Sequence, residues 1–191
     1  MSINLVKGQK INLSKEVEGL DTVIVGLGWD AVKRGLFRSA PDIDCDAFAI
    51  AVDKQGKSIE TVYFGNLSAF NGAIHHCGDN LTGDGDGDDE QIITKLNDLP
   101  SKVDKIIFAV NIYSCVTRKQ DFGMIKNAFI RLVDQKTGKE ICKYNLSESY
   151  EGKTAMAFAE VYKHNNEWKF NAIGRGTNDI SISQFVKNYL G

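Results

Sequence analysis

A run of acidic residues near the middle of the chain carries the strongest chemical signal in the sequence. Residues 79–90 read Asp-Asn-Leu-Thr-Gly-Asp-Gly-Asp-Gly-Asp-Asp-Glu, with six carboxylates, three glycines and no basic residue. These carboxylates repel one another strongly unless a positive charge lies among them. Carboxylate oxygens on a sharply turning chain suit Ca²⁺, which takes about 6–8 oxygen ligands. The run therefore predicts a calcium site.

The run offers more oxygen atoms than one ion needs, so two neighbouring Ca²⁺ ions that share carboxylates are expected. Its glycines allow the backbone to fold around the ions at positive φ. Further acids lie beside the ends of two strand-like segments, at Asp30 and at the alternating Asp42, Asp44 and Asp46, which share a face in an extended chain. Asp30 or Asp44 would complete the site if the strand ends lie beside the run. The candidate ligands, through side chains or backbone carbonyls, are Asp30, Asp42, Asp44, Asp79, Asn80, Leu81, Gly83, Asp84, Gly85, Asp86, Asp88, Asp89 and Glu90.

The run is not an EF-hand, although Asp84, Asp86 and Asp88 match the first three ligand positions of that motif. Asp89 stands where the motif needs glycine, and Lys95 stands where it needs a bidentate glutamate. A solvated acidic loop with no bound ion is the alternative interpretation of the same residues.

Two kinds of catalysis are weighed against calcium binding. The same carboxylates could hold a divalent metal in a metal-dependent hydrolase, but the chain has no P-loop, GxSxG or HExxH motif. Direct thiol chemistry would need Cys45, Cys77, Cys115 or Cys142, and no two of these form a CxxC pair. We therefore expect a protein that is not an enzyme. His75, His76 and Cys77 are interpreted as ordinary strand residues, because neighbouring strand residues point to opposite faces.

Charge and composition limit the partners that are expected. Six of the 25 acidic residues lie in the acidic run, so the rest of the chain has 23 basic against 19 acidic side chains. A nearly neutral body with one anionic loop argues against nucleic acid binding. The first residues lack a signal peptide pattern, and no apolar stretch approaches 18 residues. We expect a cytoplasmic protein that does not span a membrane.

Short strand-like segments separated by turns predict an all-β fold, a two-sheet sandwich with a C-terminal helix, in one domain over residues 1–191. The segments are residues 22–28, 46–53, 103–113, 128–134, 140–146 and 167–173. The helix is predicted from an apolar face of Ile182, Phe185, Val186 and Tyr189 at helical spacing. Asn178 or Asp179 could cap it, and Ser181 with Gln184 resembles a capping box. A further short helical turn is expected near residues 121–126.

The whole chain resembles the TerD family of bacterial tellurium-resistance and stress-response proteins. The similarity lies in Gly28-Trp29-Asp30, in Asp42-Ile43-Asp44-Cys45-Asp46 and in the stretch from His76 to Glu90, where Gly78-Asp79-Asn80 precedes the acidic run. Later segments also match, at residues 7–14, 129–132, 144–146 and 167–170. Cys45, Cys77 and Asp84 depart mildly from the family pattern, and the shorter Asp84 bears on how one ligand reaches its ion.

The resemblance implies a β-sandwich with two Ca²⁺ ions at one end, bound by the acidic run and by the segments around Asp30 and Asp44. It also implies a non-enzymatic cytoplasmic protein with a role in resistance to tellurite and other stresses. The implied partners are other Ter proteins, in a complex that includes membrane-associated members.

Overall fold

The structure is a computed structural model that describes residues 2–31, 43–78 and 87–191. Within these ranges thirteen β-strands form, namely β1 (Ile3–Leu5), β2 (Lys10–Asn12), β3 (Thr22–Ala31), β4 (Cys45–Val52), β5 (Ser58–Val62), β6 (Ser68–Ala69), β7 (Ile74–His76), β8 (Glu90–Lys95), β9 (Lys105–Ile112), β10 (Ile125–Asp134), β11 (Glu140–Asn145), β12 (Ala155–His164) and β13 (Glu167–Thr177). The same ranges hold three α-helices, α1 (Leu13–Glu16), α2 (Cys115–Arg118) and α3 (Ile182–Leu190). A 3₁₀ turn at Phe122–Met124 confirms the short helical turn.

The strands form two sheets that pack against each other. One sheet has the order β1-β11-β10-β3-β8-β7-β6, and the other has the order β2-β13-β12-β9-β4-β5. Neighbours are antiparallel except β1 and β11, which are parallel. Apolar side chains from both sheets form one buried cluster, which includes Val25, Phe108, Ile130, Phe158 and Phe170. The predicted two-sheet sandwich is confirmed.

Strand β4 is buried along its whole length because both of its faces are covered. Cys45, Ala47 and Ala49 belong to the cluster between the sheets, whereas Phe48 and Ile50 belong to a second cluster on the outer face. This alternation follows from the period of two in a strand. Small residues therefore face the other sheet, and large residues face α3.

Helix α3 covers that outer face with the predicted apolar residues. Phe185 is fully buried and meets the ring of Phe48 edge-on at 5.2 Å, and it stacks on Tyr189 at 5.0 Å. Ile182 and Val186 pack on the same cluster. The amphipathic helix is thus confirmed.

The start of α3 corrects one detail of the prediction. Ser181 is the N-cap, and its Oγ accepts the N–H of Gln184 at 3.2 Å. The Gln184 side chain accepts the N–H of Ile180 at 3.0 Å, which completes a variant of the capping box. Asn178 and Asp179 lie upstream of the cap, so their predicted capping role is wrong.

Candidate metal site at one end of the sandwich

Acidic residues from three separate segments meet at one end of the sandwich. Strand β3 ends beside Asp30, Asp44 directly precedes β4, and Glu90 begins β8. Leu27 of β3 pairs with Glu90, and Ala47 of β4 donates its N–H to Glu90 Oε2 at 2.7 Å across the two sheets. We call this region the acidic end; its described carboxylates are Asp30, Asp44, Asp88, Asp89 and Glu90.

Backbone contacts hold Asp89 against the end of β3. Its N–H donates to the carbonyl of Leu27 at 2.8 Å, and its Oδ2 accepts the N–H of Trp29 at 2.7 Å. Gly28 allows this approach, because a Cβ there would lie 2.8 Å from the Gly87 carbonyl oxygen and would overlap the ring of Phe129. The end of the acidic run is therefore fixed to β3 through both the main chain and the side chain of Asp89.

Asp30 is exposed and points into an open cleft of about 470 Å³. Its Oδ2 accepts a hydrogen bond from Asn127 Nδ2 at 2.8 Å. Gly87 lines the same cleft, together with Lys143. A carboxylate offers about four acceptor positions, so the bond from Asn127 leaves other acceptor positions of Asp30 that could bind an ion.

Asp88 forms a two-bond ion pair with Arg131 of β10. Arg131 Nε and Nη2 donate to its two oxygens at 2.7 and 3.0 Å, and Gln91 Nε2 donates to Oδ2 at 3.0 Å. The carboxylate lies over Gly26, where any Cβ would collide with it. These hydrogen bonds raise the pKa of Arg131 above its ordinary value, mainly through the bond to Asp88. A metal ion that used Asp88 would compete with this guanidinium.

Glu90 forms a buried pair with His76. His76 Nε2 lies 3.3 Å from Glu90 Oε2 and 3.1 Å from the carbonyl oxygen of Ala47, and both side chains are almost fully buried. His76 Nδ1 accepts the N–H of Gly78 at 3.2 Å, so Nε2 is the ring nitrogen that donates toward Glu90 and Ala47. Glu90 thus fastens β8 to β4. His75, by contrast, is exposed, and the two histidines face opposite ways as expected for a strand.

The charges of the acidic end converge on the thiol of Cys45. Burial raises the pKa of this thiol well above its ordinary value, and the negative charges of Asp46, Glu90, Asp44 and Asp89 raise it further. Burial also raises the pKa of Cys142, to about 12. Because the thiolate is the reactive form, neither buried thiol suits direct chemistry on an oxyanion.

Asp44 is tied to a basic residue of α2. Arg118 Nη1 lies 3.4 Å from Asp44 Oδ2, and the guanidinium stands 5.6 Å from the centre of the Tyr113 ring. The Asp44 carbonyl oxygen also accepts the N–H of Tyr113 at 2.8 Å. Sequence reasoning missed Arg118, Asn127 and Arg131 as partners of predicted ligands, since nothing in their local sequence indicates which acid they meet.

Five of the predicted ligands lie within the described residues: Asp30, Asp44, Asp88, Asp89 and Glu90. The other eight lie outside the described residues: Asp42, Asp79, Asn80, Leu81, Gly83, Asp84, Gly85 and Asp86. Among residues 2–31, 43–78 and 87–191, no three His, Cys, Asp or Glu side chains form a group that could hold a metal ion. The donor set of the acidic end is nevertheless made of carboxylate oxygens, which is the chemistry that Ca²⁺ requires.

Comparison with known proteins identifies the family. The model of the TerD domain matches residues 1–189. This chain belongs to the TerD family. The stress response protein SCP2 of Bacillus subtilis is 49% identical to this TerD-family chain over 200 residues, which covers all of both proteins. The tellurium resistance protein TerD of Serratia marcescens is 44% identical, over 92% of this chain and 91% of the relative.

A solved structure supports the fold of this TerD-family chain. A homologue of the telluride resistance protein from Streptomyces coelicolor superposes with a TM-score of 0.68 at 23% identity, over 88% of this chain and 96% of that structure. At this identity the likeness concerns the fold alone. Across residues 2–31, 43–78 and 87–191, every helix is too short or too polar to cross a membrane.

Proposed function

We propose that this TerD-family protein binds two Ca²⁺ ions at the acidic end and serves, without catalysis, as a scaffold or sensor in tellurite resistance and the stress response. The observation that supports calcium most directly is geometric: hydrogen bonds from Trp29 to Asp89 and from Ala47 to Glu90 bring the strand ends that carry Asp30 and Asp44 beside the end of the acidic run. Such a concentration of negative charge favours a divalent cation. The names of the relatives, a stress response protein and a tellurium resistance protein, support the proposed physiological role.

Asp30, Asp44 and Asp89 are the described residues that fit best as ligands, because each presents a carboxylate at a strand end. The remaining oxygens come from the acidic run, through Asp79, Asn80, Leu81, Gly83, Asp84, Gly85 and Asp86, and from Asp42. Asp88 and Glu90 remain predicted ligands, but their carboxylates also hold Arg131 and Ala47. A bound Ca²⁺ supplies positive charge and cross-links the three segments, which stabilises the fold by mass action.

The first experiment is a calorimetric Ca²⁺ titration of protein stripped with a chelator, with excess Mg²⁺ present. We expect a stoichiometry near two and binding that Mg²⁺ does not prevent, because Mg²⁺ keeps its waters and prefers a rigid octahedral site. An absence of heat, together with a melting temperature that Ca²⁺ does not change, would mean that the acidic run is only a solvated loop.

Asp30→Asn is the sharpest site variant because Asp30 is exposed and asparagine can still accept the Asn127 hydrogen bond. We expect its melting temperature without Ca²⁺ to equal that of the wild type, and its gain with Ca²⁺ to be smaller. Asp86→Asn tests the acidic run in the same way. Asp98→Asn is the control, since Asp98 is an exposed acid beyond the opposite end of β8. Equal Ca²⁺ affinity in all four proteins would place the ions elsewhere.

The metal-dependent hydrolase is tested separately. We expect no turnover of phosphoester or glycoside substrates with Mg²⁺, Mn²⁺ or Ca²⁺. Turnover that disappears in Asp30→Asn but not in Asp98→Asn would replace the scaffold proposal with an enzyme.

Partners are proposed to be other Ter proteins in the cytoplasm, including a membrane-associated complex. We expect the wild-type gene to restore tellurite survival to a strain that lacks it, and Asp30→Asn with Asp86→Asn to restore less at equal protein level. Full rescue by the double variant would separate resistance from the acidic end.

A further inference from the structure

A second concave site lies on the outer face of the six-stranded sheet, beside the first turn of α3. It is an open cleft of about 710 Å³, within the usual size range of about 300–1,000 Å³ for ligand pockets. Its floor holds Asp46 and Asn111, and its walls include Tyr63, Phe64 and Tyr113. This face belongs to the α3 side of β4, whereas Cys45 and Ala47 face the other sheet.

The floor of the cleft is polar and buried. Asp46 on β4 and Asn111 on β9 are direct cross-strand partners, and each is only 4% exposed. Asn111 Oδ1 is buried, and no described residue forms a hydrogen bond with it. An unsatisfied acceptor of this kind lowers stability, so a ligand that donates to it regains a bond that the protein alone does not make.

The walls of the cleft are aromatic and partly exposed. The rings of Tyr63 and Phe64 meet edge-on at 5.4 Å. Gly65 leaves room for the Tyr63 ring, because a Cβ there would lie 2.7 Å from Tyr63 Cε2. Phe64 and Tyr113 are 42% and 47% exposed, which is high for large side chains beside a cavity. Aromatic faces attract cations as well as apolar groups.

We propose that this cleft binds a small organic cation, a primary ammonium or guanidinium group carried on an apolar body. The cationic group donates to Asn111 Oδ1 and to the Asp46 carboxylate, and the apolar body packs between Phe64, Tyr63 and Val186. Among the described residues that line the cleft, Asp46 is the one carboxylate, and its charge favours a cation over an anion. Lys187 stands at the rim with an exposed side chain, so its charge is largely screened by water.

The test uses three probes with the same apolar part: 2-phenylethylammonium, 2-phenylethanol and 3-phenylpropanoate. Binding to the full chain is followed by calorimetry or NMR shifts at a fixed Ca²⁺ concentration. We expect the ammonium probe to bind at least about tenfold more tightly than the alcohol, since hydrogen bonds to charged groups are the stronger ones. We expect no binding of the carboxylate probe. Equal binding of ammonium and alcohol would overturn the proposal.

Variants locate the site. Asn111→Leu should weaken ammonium binding about fivefold or more while raising the melting temperature, because it removes a buried unpaired acceptor. Asp46→Asn should bring ammonium and alcohol to similar affinity. Phe64→Ala, at an exposed position that tolerates change, should weaken both probes, and Asp98→Asn should change neither. Unchanged affinity in Asn111→Leu and Phe64→Ala would refute the assignment, even if Asp46→Asn did not fold.

Discussion

Removing the guanidinium of Arg131 gives the most direct test of the acidic end. Arg131 holds Asp88 through two hydrogen bonds of 2.7 and 3.0 Å, and the Asp88 side chain is only 2% exposed. Arg131→Met keeps much of the apolar stem but leaves that carboxylate buried without its cation. The Arg131 side chain also approaches Glu140 at 3.3 Å, a weaker contact at its outer edge.

The size of the effect follows from burial. Breaking a fully buried ion pair costs about 3–5 kcal/mol. The Arg131 side chain is 31% exposed, so water screens part of the attraction and we expect a loss of about 2 kcal/mol. For a chain of this length that corresponds to a fall in melting temperature of roughly 4–8 °C. Asp88→Asn should lower the unfolding free energy by less than Arg131→Met does, because the remaining guanidinium can turn toward water.

Urea unfolding of both single variants and the double variant, in chelator, measures the coupling between the two residues. We expect a coupling free energy of at least about 1 kcal/mol. Lys126→Met, an exposed change on the same strand, should alter stability by less than about 0.5 kcal/mol. If Arg131→Met lowers the unfolding free energy in chelator no more than Lys126→Met does, then the ion pair with Asp88 does not stabilise the fold and our account of it is wrong.

Three further predictions concern the core and the thiols. Phe185→Ala should lower the free energy of unfolding in urea by about 3–5 kcal/mol and detach α3, because it removes the ring that packs against Phe48. A loss below about 1 kcal/mol would contradict the packing of α3 on this face. Native protein should take up one alkyl group by mass spectrometry, at exposed Cys77, and all four only in denaturant; a second native adduct would show that a buried thiol opens. Burial raises the pKa of Cys142 to about 12, against 9.0 for the unfolded chain. The protonated thiol therefore stabilises the fold below pH 9, and this contribution is lost as pH rises toward 12. Cys142→Ala should make the unfolding free energy fall less steeply with pH in the alkaline range, and an unchanged slope would contradict this prediction.

The fold was largely predictable because short apolar runs bounded by turn residues can be recognised within a few consecutive residues of the sequence. The segments at residues 22–28, 128–134 and 167–173 lie in strands that the structure contains, and the segment 46–53 lies in β4 except for its last residue. Strand β12 was not predicted, because its first residues, Ala155-Met156-Ala157, include alanine, which has weak strand preference. Its strand form is imposed by pairing with β9 and β13 on both sides.

The candidate site was less predictable because its contacts join distant parts of the chain. In the sequence, Arg131 is one charged residue in a strand of alternating polar and apolar residues, and nothing there indicates its partner. In the structure it lies opposite Gly26, and its side chain reaches across β3 to Asp88. Asp46 shows the same limit in another way. The sequence groups it with Asp42 and Asp44, and only the pairing of β4 with β9 shows that it lies opposite Asn111, beside α3.

The two proposed sites share strand β4, so their charges should influence each other. Asp44 lies at the acidic end, and Asp46 forms the floor of the cleft two residues later. Ca²⁺ bound near Asp44 adds positive charge close to Asp46 and should weaken binding of 2-phenylethylammonium severalfold, whereas 2-phenylethanol should be unaffected. By linkage, the ammonium probe must weaken Ca²⁺ binding by the same factor. Equal ammonium affinity with and without Ca²⁺, in protein shown by calorimetry to be loaded, would mean that the two sites are electrostatically independent and that a sensor role cannot act through this cleft.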